Sequence, residues 1–226
     1  MNKIPSLNLK DFTQGGEQKR IQFVKDLGKA YEEIGFVAIS GHFLSESLVE
    51  KLYKQIKIFF DLPDDVKNKY EIAGLGGQRG YTSFGKEHAK GKKEGDLKEF
   101  WHFGQYREVE EELKHHYHPN VIVKEAPEFN EVGKEAYQAL EKTGIELLRA
   151  IALHLKIDEN YFDKFVETGN SILRPIHYPP IKKEPKKAER AAAHGDINLI
   201  TLLMGAHGKG LQVLNRKGEW IDAVAK

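Results

Sequence analysis

The sequence contains no cysteine, which excludes disulfides, thiolate metal sites and a cysteine nucleophile. Histidine and carboxylate side chains are then the strong metal ligands left, and they suit a hard or borderline cation. Long apolar runs are also missing. No stretch approaches the length of a membrane span, and Met1-Asn2-Lys3-Ile4-Pro5 leads into polar sequence without the apolar core of a signal peptide. The cytoplasm is the expected compartment, with no membrane partner. Nor is there an excess of charge of either sign: 35 Lys and Arg stand against 34 Asp and Glu. Such a chain has no overall field to drive nucleic-acid binding through counterion release. A small molecule is the expected partner, and nothing in the sequence specifies an oligomeric state.

What is present is a globular composition, 40% hydrophobic and 31% charged over 226 residues, which suits one generous domain. Leu7, Leu9 and Phe12 read as a short edge segment. Apolar residues at Ile21, Val24, Leu27, Tyr31 and Ile34 recur every three or four positions, an amphipathic helix closed by Gly35. Phe36 to Ile39 reads as a buried strand. Ser45 reads as the N-cap of a second helix that carries Leu48, Val49, Leu52, Ile56, Phe59 and Phe60. From Gly74 to Gly95 glycine is dense and periodicity is lost, which predicts a long loop at the surface or over a cleft. Arg79, Tyr81 and Phe84 in it are candidate substrate contacts.

Leu97 to Phe103 is rich in aromatics and fits a strand. Trp101 and His102 within it are further candidates for a substrate role, against the plainer reading of core and rim residues. Phe129, Val132, Ala136, Leu140, Leu147, Leu148 and Ile151 restore the helical period, and Asp158 to Phe165 reads as a short helix. His115, His116 and His118 read as an exposed polar turn, and Lys182, Lys183, Lys186, Lys187 and Arg190 as a solvated loop. After Asn170 come short strand-like runs beginning at Ile172, Leu199, Leu211 and Glu219, separated by Gly, Pro or Asn. Helices first and strands last predict an α+β fold. Residues 1–169 are its mainly helical region, and 170–226 the first part of a sheet or barrel.

His194 and Asp196 are the chemistry-bearing pair. On a strand, residues two apart point to one face, so both side chains would project together and could grip one ion. An imidazole and a carboxylate are two thirds of the 2-His-1-carboxylate triad of non-haem iron(II) oxygenases, which leaves positions open on the metal. With 10 histidines in the chain, a His-x-Asp arises easily by chance, so context carries the weight. That context is the apolar run Ile197, Leu199, Thr201 and Leu203, then a turn at Gly208 to Gly210 and a second strand.

His194-Gly195-Asp196-Ile197-Asn198-Leu199, followed by Gly210-Leu211-Gln212-Val213 and Gly218-Glu219-Trp220-Ile221, resembles the metal-binding segment of the isopenicillin N synthase-like branch of iron(II)/2-oxoglutarate-dependent oxygenases. Leu173-Arg174-Pro175-Ile176-His177-Tyr178-Pro179-Pro180 resembles the strand that precedes the metal strand in that branch. Ile4-Pro5-Ser6-Leu7, Gly35-Phe36-Val37 and Gly41-His42 resemble its N-terminal region.

The resemblance implies a double-stranded β-helix (jelly roll) core with an N-terminal helical layer, and the use of iron(II), dioxygen and 2-oxoglutarate. It implies His194 and Asp196 as metal ligands and Tyr178 as a residue lining the 2-oxoglutarate pocket. Where some relatives carry Asn two residues before that tyrosine, this chain has Ile176. The resemblance places a second metal-binding His and an Arg for the far carboxylate of 2-oxoglutarate beyond the Gly-x-Trp element, past Lys226. His207 lies in a turn and is a poor substitute. The expected β-helix is thus incomplete at its C-terminus, and the expected activity is that of the intact protein: oxidation, most simply hydroxylation, of a small-molecule C–H bond. The rival expectation is a truncated, non-catalytic paralogue that serves as a binding or interaction module.

Overall fold

The computed structural model describes residues 4–87, 95–108, 110–114, 116–181, 190, 193–196, 198–204 and 210–223. His115, Lys182 to Lys187, Ile197 and His207 lie outside them. In chain order the elements are β1 (Ser6–Asn8), α1 (Leu9–Thr13), α2 (Gly16–Glu33), β2 (Ala38–Ser40), α3 (Glu46–Phe60) and α4 (Asp64–Lys67). Then follow β3 (Gly80–Thr82), β4 (Glu99–Gly104), α5 (Pro127–His154) and α6 (Asp163–Glu167). The chain closes with β5 (Ile172–Leu173), β6 (Ile176–His177), β7 (Gln212–Leu214) and β8 (Trp220–Asp222). The architecture is α+β. Contacts divide it into two units: Met1–Leu44 with Leu140–Gly169 and Ile200–Lys226, and Ser45–Ala139 with Asn170–Leu199.

In the first unit, β1 and β2 pair in parallel, Leu7 opposite Ile39. The residues expected to extend the first edge segment, Leu9 and Phe12, instead form α1, because the Asn8 side chain accepts a hydrogen bond from the Lys10 amide and caps a helix there. The apolar stripe of α2 does what its spacing demands: Phe23 and Leu27 are buried with Leu9, Phe12, Leu147 and Ala150. Gly35 ends the helix with φ of 81°, its amide bonded to the Ala30 carbonyl. That left-handed conformation is open to glycine at no steric penalty.

In the second unit, the Ser45 hydroxyl accepts from the Leu48 amide at 3.2 Å and starts α3. Four aromatic rings then meet at its end. Phe59 stacks on Phe129 of α5 at 4.8 Å and meets the edges of Trp101 at 4.9 Å and Tyr81 at 5.9 Å. Phe59, Trp101 and Phe129 are completely buried, and rings of this size supply most of a core's apolar area. A Cβ at Gly133 would stand 2.3 Å from the Phe103 ring, so only glycine lets α5 approach β4 this closely.

β3, β5 and β6 all pair antiparallel with β4. The expected glycine-rich loop therefore contains a buried strand, β3, invisible to periodicity because it is three residues long and needs β4 to complete its ladder. The run beginning at Ile172 is a single extended segment broken into β5 and β6 at Pro175, which has no amide to donate. β7 and β8 form an antiparallel hairpin, Val213 opposite Ile221. The strand expected at Phe36 to Ile39 is instead β2 at Ala38–Ser40, with Phe36 44% exposed, and the strand expected at Leu199 does not form. Residues 193–196 and 198–204 carry no strand, and Leu199 and Leu203 are 62% and 64% exposed. An apolar alternation becomes a strand only where a neighbouring backbone supplies ladder hydrogen bonds, and no such neighbour stands beside these residues among those described.

Candidate active site

His194 and Asp196 sit on backbone with no assigned strand or helix, in the second unit. Even so, the imidazole Nε2 is 3.8 Å from the Asp196 carboxylate, and both side chains are at least half exposed. A Cβ added at Gly195 would meet nothing within 4 Å, so the space beside the pair is open. Among the described residues no group of three or more His, Asp or Glu side chains could hold a metal ion. The pair therefore offers one nitrogen and one oxygen donor, a set that suits iron(II) chemically and leaves most of its coordination positions to other groups.

Tyr178 follows β6 and is half-buried. Along this strand His177 shares the face of its register partner Glu99, so alternation carries Ile176 and Tyr178 to the other face. The two faces differ in kind. Tyr81, Trp101, Phe103 and Leu173 belong to the aromatic core on the Glu99 face, whereas Phe100, His102 and Arg174 make up the face of Tyr178.

Three of the substrate candidates are framework side chains in this structure. Trp101 is fully buried and Tyr81 is 2% exposed; the Tyr81 hydroxyl donates to the Glu99 carboxylate. Arg79 is 1% exposed. Its guanidinium donates to the carbonyls of His118 and Gln78 and to the Asn170 side chain, and it lies where a Cβ on Gly104 would otherwise be. All three of those acceptors are neutral, and burial lowers the Arg79 pKa. Phe84 alone is open to solvent, at 51% exposure.

Two polar centres take their partners from distant segments. Glu99 receives hydrogen bonds from Tyr81, from Lys67 at 2.9 Å and from His177 at 2.7 Å. On the opposite face, His102 is bound between the Gly77 carbonyl and Arg174. The signal for the second was in the sequence: Arg174, Ile176 and Tyr178 are spaced by two, so that on a strand they share one face.

A family model described as "non-haem dioxygenase in morphine synthesis N-terminal" matches residues 4–125. Among curated proteins, a 2-oxoglutarate-Fe(II) type oxidoreductase of Emericella nidulans is 29% identical over 96% of this chain. The alignment takes in 65% of that relative, so the chain spans about two thirds of its length. Among solved structures, a 2OG-Fe(II) oxygenase family protein from Caulobacter crescentus is 39% identical, with a TM-score of 0.83 over 98% of this chain and 70% of its own. A full-length Neurospora crassa protein solved in complex with alpha-KG is 29% identical, with a TM-score of 0.84 over 99% of this chain and 70% of that one. Sequence and fold thus agree over nearly the whole chain, which belongs to the iron(II)/2-oxoglutarate-dependent oxygenase family.

Proposed function

We propose that this protein is an iron(II)- and 2-oxoglutarate-dependent dioxygenase in which His194 and Asp196 hold the metal and Tyr178 lines the 2-oxoglutarate pocket. The observation that carries the reading is the imidazole and carboxylate 3.8 Å apart in exposed positions, within a chain of this family. The substrate is a small molecule oxidised at a C–H bond, with hydroxylation the outcome. The four-stranded sheet of the second unit is then part of a jelly-roll core.

When bound, iron(II) supplies the redox centre at which dioxygen and 2-oxoglutarate react. The chain's own residues have simpler tasks. Asp196 would contribute the anionic ligand that retains the cation, and His194 a borderline nitrogen donor. Gly195 keeps the space beside them clear of side-chain atoms. Tyr178 offers a hydroxyl and a ring edge to a bound carboxylic acid, from the same sheet face as Phe100 and His102.

Purified protein supplied with iron(II) and 2-oxoglutarate tests this by succinate release, alongside anaerobic binding of Mn(II) followed by electron paramagnetic resonance. Asp196→Ala is expected to abolish both signals. Retention of metal binding and turnover in that variant overturns the ligand assignment. A wild-type protein that binds no metal and releases no succinate overturns the oxygenase reading in favour of a binding module.

A further inference from the structure

Phe103 stands opposite Leu173 and Phe100 opposite Ile176 in one unbroken register, which sets Arg174, between β5 and β6, directly across from His102. Cross-strand partners share a face, and the contacts agree. The Arg174 guanidinium carbon lies 4.4 Å from the centre of the Phe100 ring, and its Nε donates to His102 Nε2 at 2.5 Å. On the other side of the imidazole, Nδ1 bonds the Gly77 carbonyl. A carbonyl can only accept, so Nδ1 carries the proton and Nε2 presents its lone pair to the arginine. Burial, and then the Arg174 charge, press the His102 pKa down to about 3, so the ring stays in the neutral form that can accept this bond.

Nη1 of Arg174 donates to Glu87 at 3.1 Å. Glu87 also pairs with Lys98 at 2.7 Å, so its charge is shared between two cations. The ring beneath, the imidazole on Nε and the carboxylate on Nη1 fix the guanidinium in place. Its third nitrogen, Nη2, has no protein acceptor among the described residues, and the side chain is 38% exposed. A rigidly held, partly exposed guanidinium with one unsatisfied edge binds an anion directionally.

We propose that Arg174 is a substrate-recognition residue that takes a carboxylate through Nη2, with His102 as its positioning residue, and that the prime substrate is a small carboxylic acid. What happens to the bound acid rests on the oxygenase reading above; the binding itself does not.

The test titrates the whole chain with benzoate and with benzamide, which has the same shape without the charge. The readout is the arginine side-chain N–H resonances, with the Arg174 signals assigned by their loss in Arg174→Gln. Benzoate is expected to shift the Arg174 signals and to bind at least tenfold tighter than benzamide, with the preference gone in Arg174→Gln and reduced in His102→Gln. Glu87→Gln, which releases Nη1, is expected to tighten benzoate severalfold, a change that a purely structural ion pair does not produce. Equal binding of acid and amide by the wild type, or an undiminished preference in Arg174→Gln, overturns the assignment. Should Arg174→Gln fail to fold, Glu87→Gln decides by the sign of its effect. Succinate release is measured separately: its absence with benzoate recognition intact counts against the oxygenase reading and leaves Arg174 as an acid-binding residue.

Discussion

The ammonium of Lys67 lies 2.9 Å from the carboxylate of Glu99, and both side chains are only 5% exposed. Lys67 reaches this position from the end of α4, where it also donates to the Phe60 carbonyl, and so ties a helix to the middle strand of the sheet. Without Glu99, Lys67 keeps only the exposed Asp64 carboxylate, at 3.1 Å, as a charged partner, and breaking a buried pair costs up to about 3–5 kcal/mol. Glu99→Ala is therefore expected to lower the unfolding free energy by about that amount in urea titration, with Lys67, Tyr81 and His177 all losing their acceptor. A loss under about 1 kcal/mol shows that water or a rearranged partner replaces the carboxylate.

The same pair gives the stability a pH dependence. Burial by itself raises the Glu99 carboxyl, but hydrogen bonds from Tyr81, Lys67 and His177 outweigh it and hold the group below the usual carboxylate range. A carboxylate depressed on folding adds stability that is fully present above its unfolded pKa, about 4.3, and is lost as pH falls through the lower folded value. Unfolding free energies measured from about pH 6 down to about pH 3 should fall more steeply for the wild type than for Glu99→Gln. Parallel curves for the two proteins mean that Glu99 has the same affinity for protons folded and unfolded.

Function and folding separate cleanly at His194 and Asp196. Both are at least half exposed, on backbone outside any sheet, and surface substitutions of this kind stay within about 0.5 kcal/mol. His194→Ala and Asp196→Ala are expected to melt with the wild type while losing metal affinity. A large drop in melting temperature for either variant would show that the pair is structural.

The β7–β8 hairpin presents two unlike faces. Val213 and Ile221 are buried, whereas Leu214 and its cross-strand partner Trp220 are 50% and 53% exposed. Val213→Ala is expected to destabilise by about 1–3 kcal/mol through lost burial and the space it leaves. Leu214→Thr with Trp220→Thr should change stability little and reduce binding of a hydrophobic fluorescent dye. Unchanged dye binding in the double variant would show that the exposed apolar surface lies elsewhere.

Much of this protein is local and was legible before folding. The spacing of Phe23 and Leu27, the Ser45 cap and the stop at Gly35 specify helices through interactions among residues a few positions apart. The His-Gly-Asp spacing brings two donors within 3.8 Å even without the strand it was expected to need. Long-range pairing decided the rest. β3 exists because β4 lies beside it; the Leu199 run is not a strand, and among the described residues no strand pairs with it. Arg79, Tyr81 and Trp101 look like binding residues in a list of side chains, yet a hydrogen bond or ring contact from a distant segment turns each into core. Glu99 and His102 differ by three positions and face opposite ways. Whether a polar side chain on β4 buttresses the aromatic core or holds Arg174 toward a ligand depends on what packs over each face, and a strand's own sequence sets only the alternation.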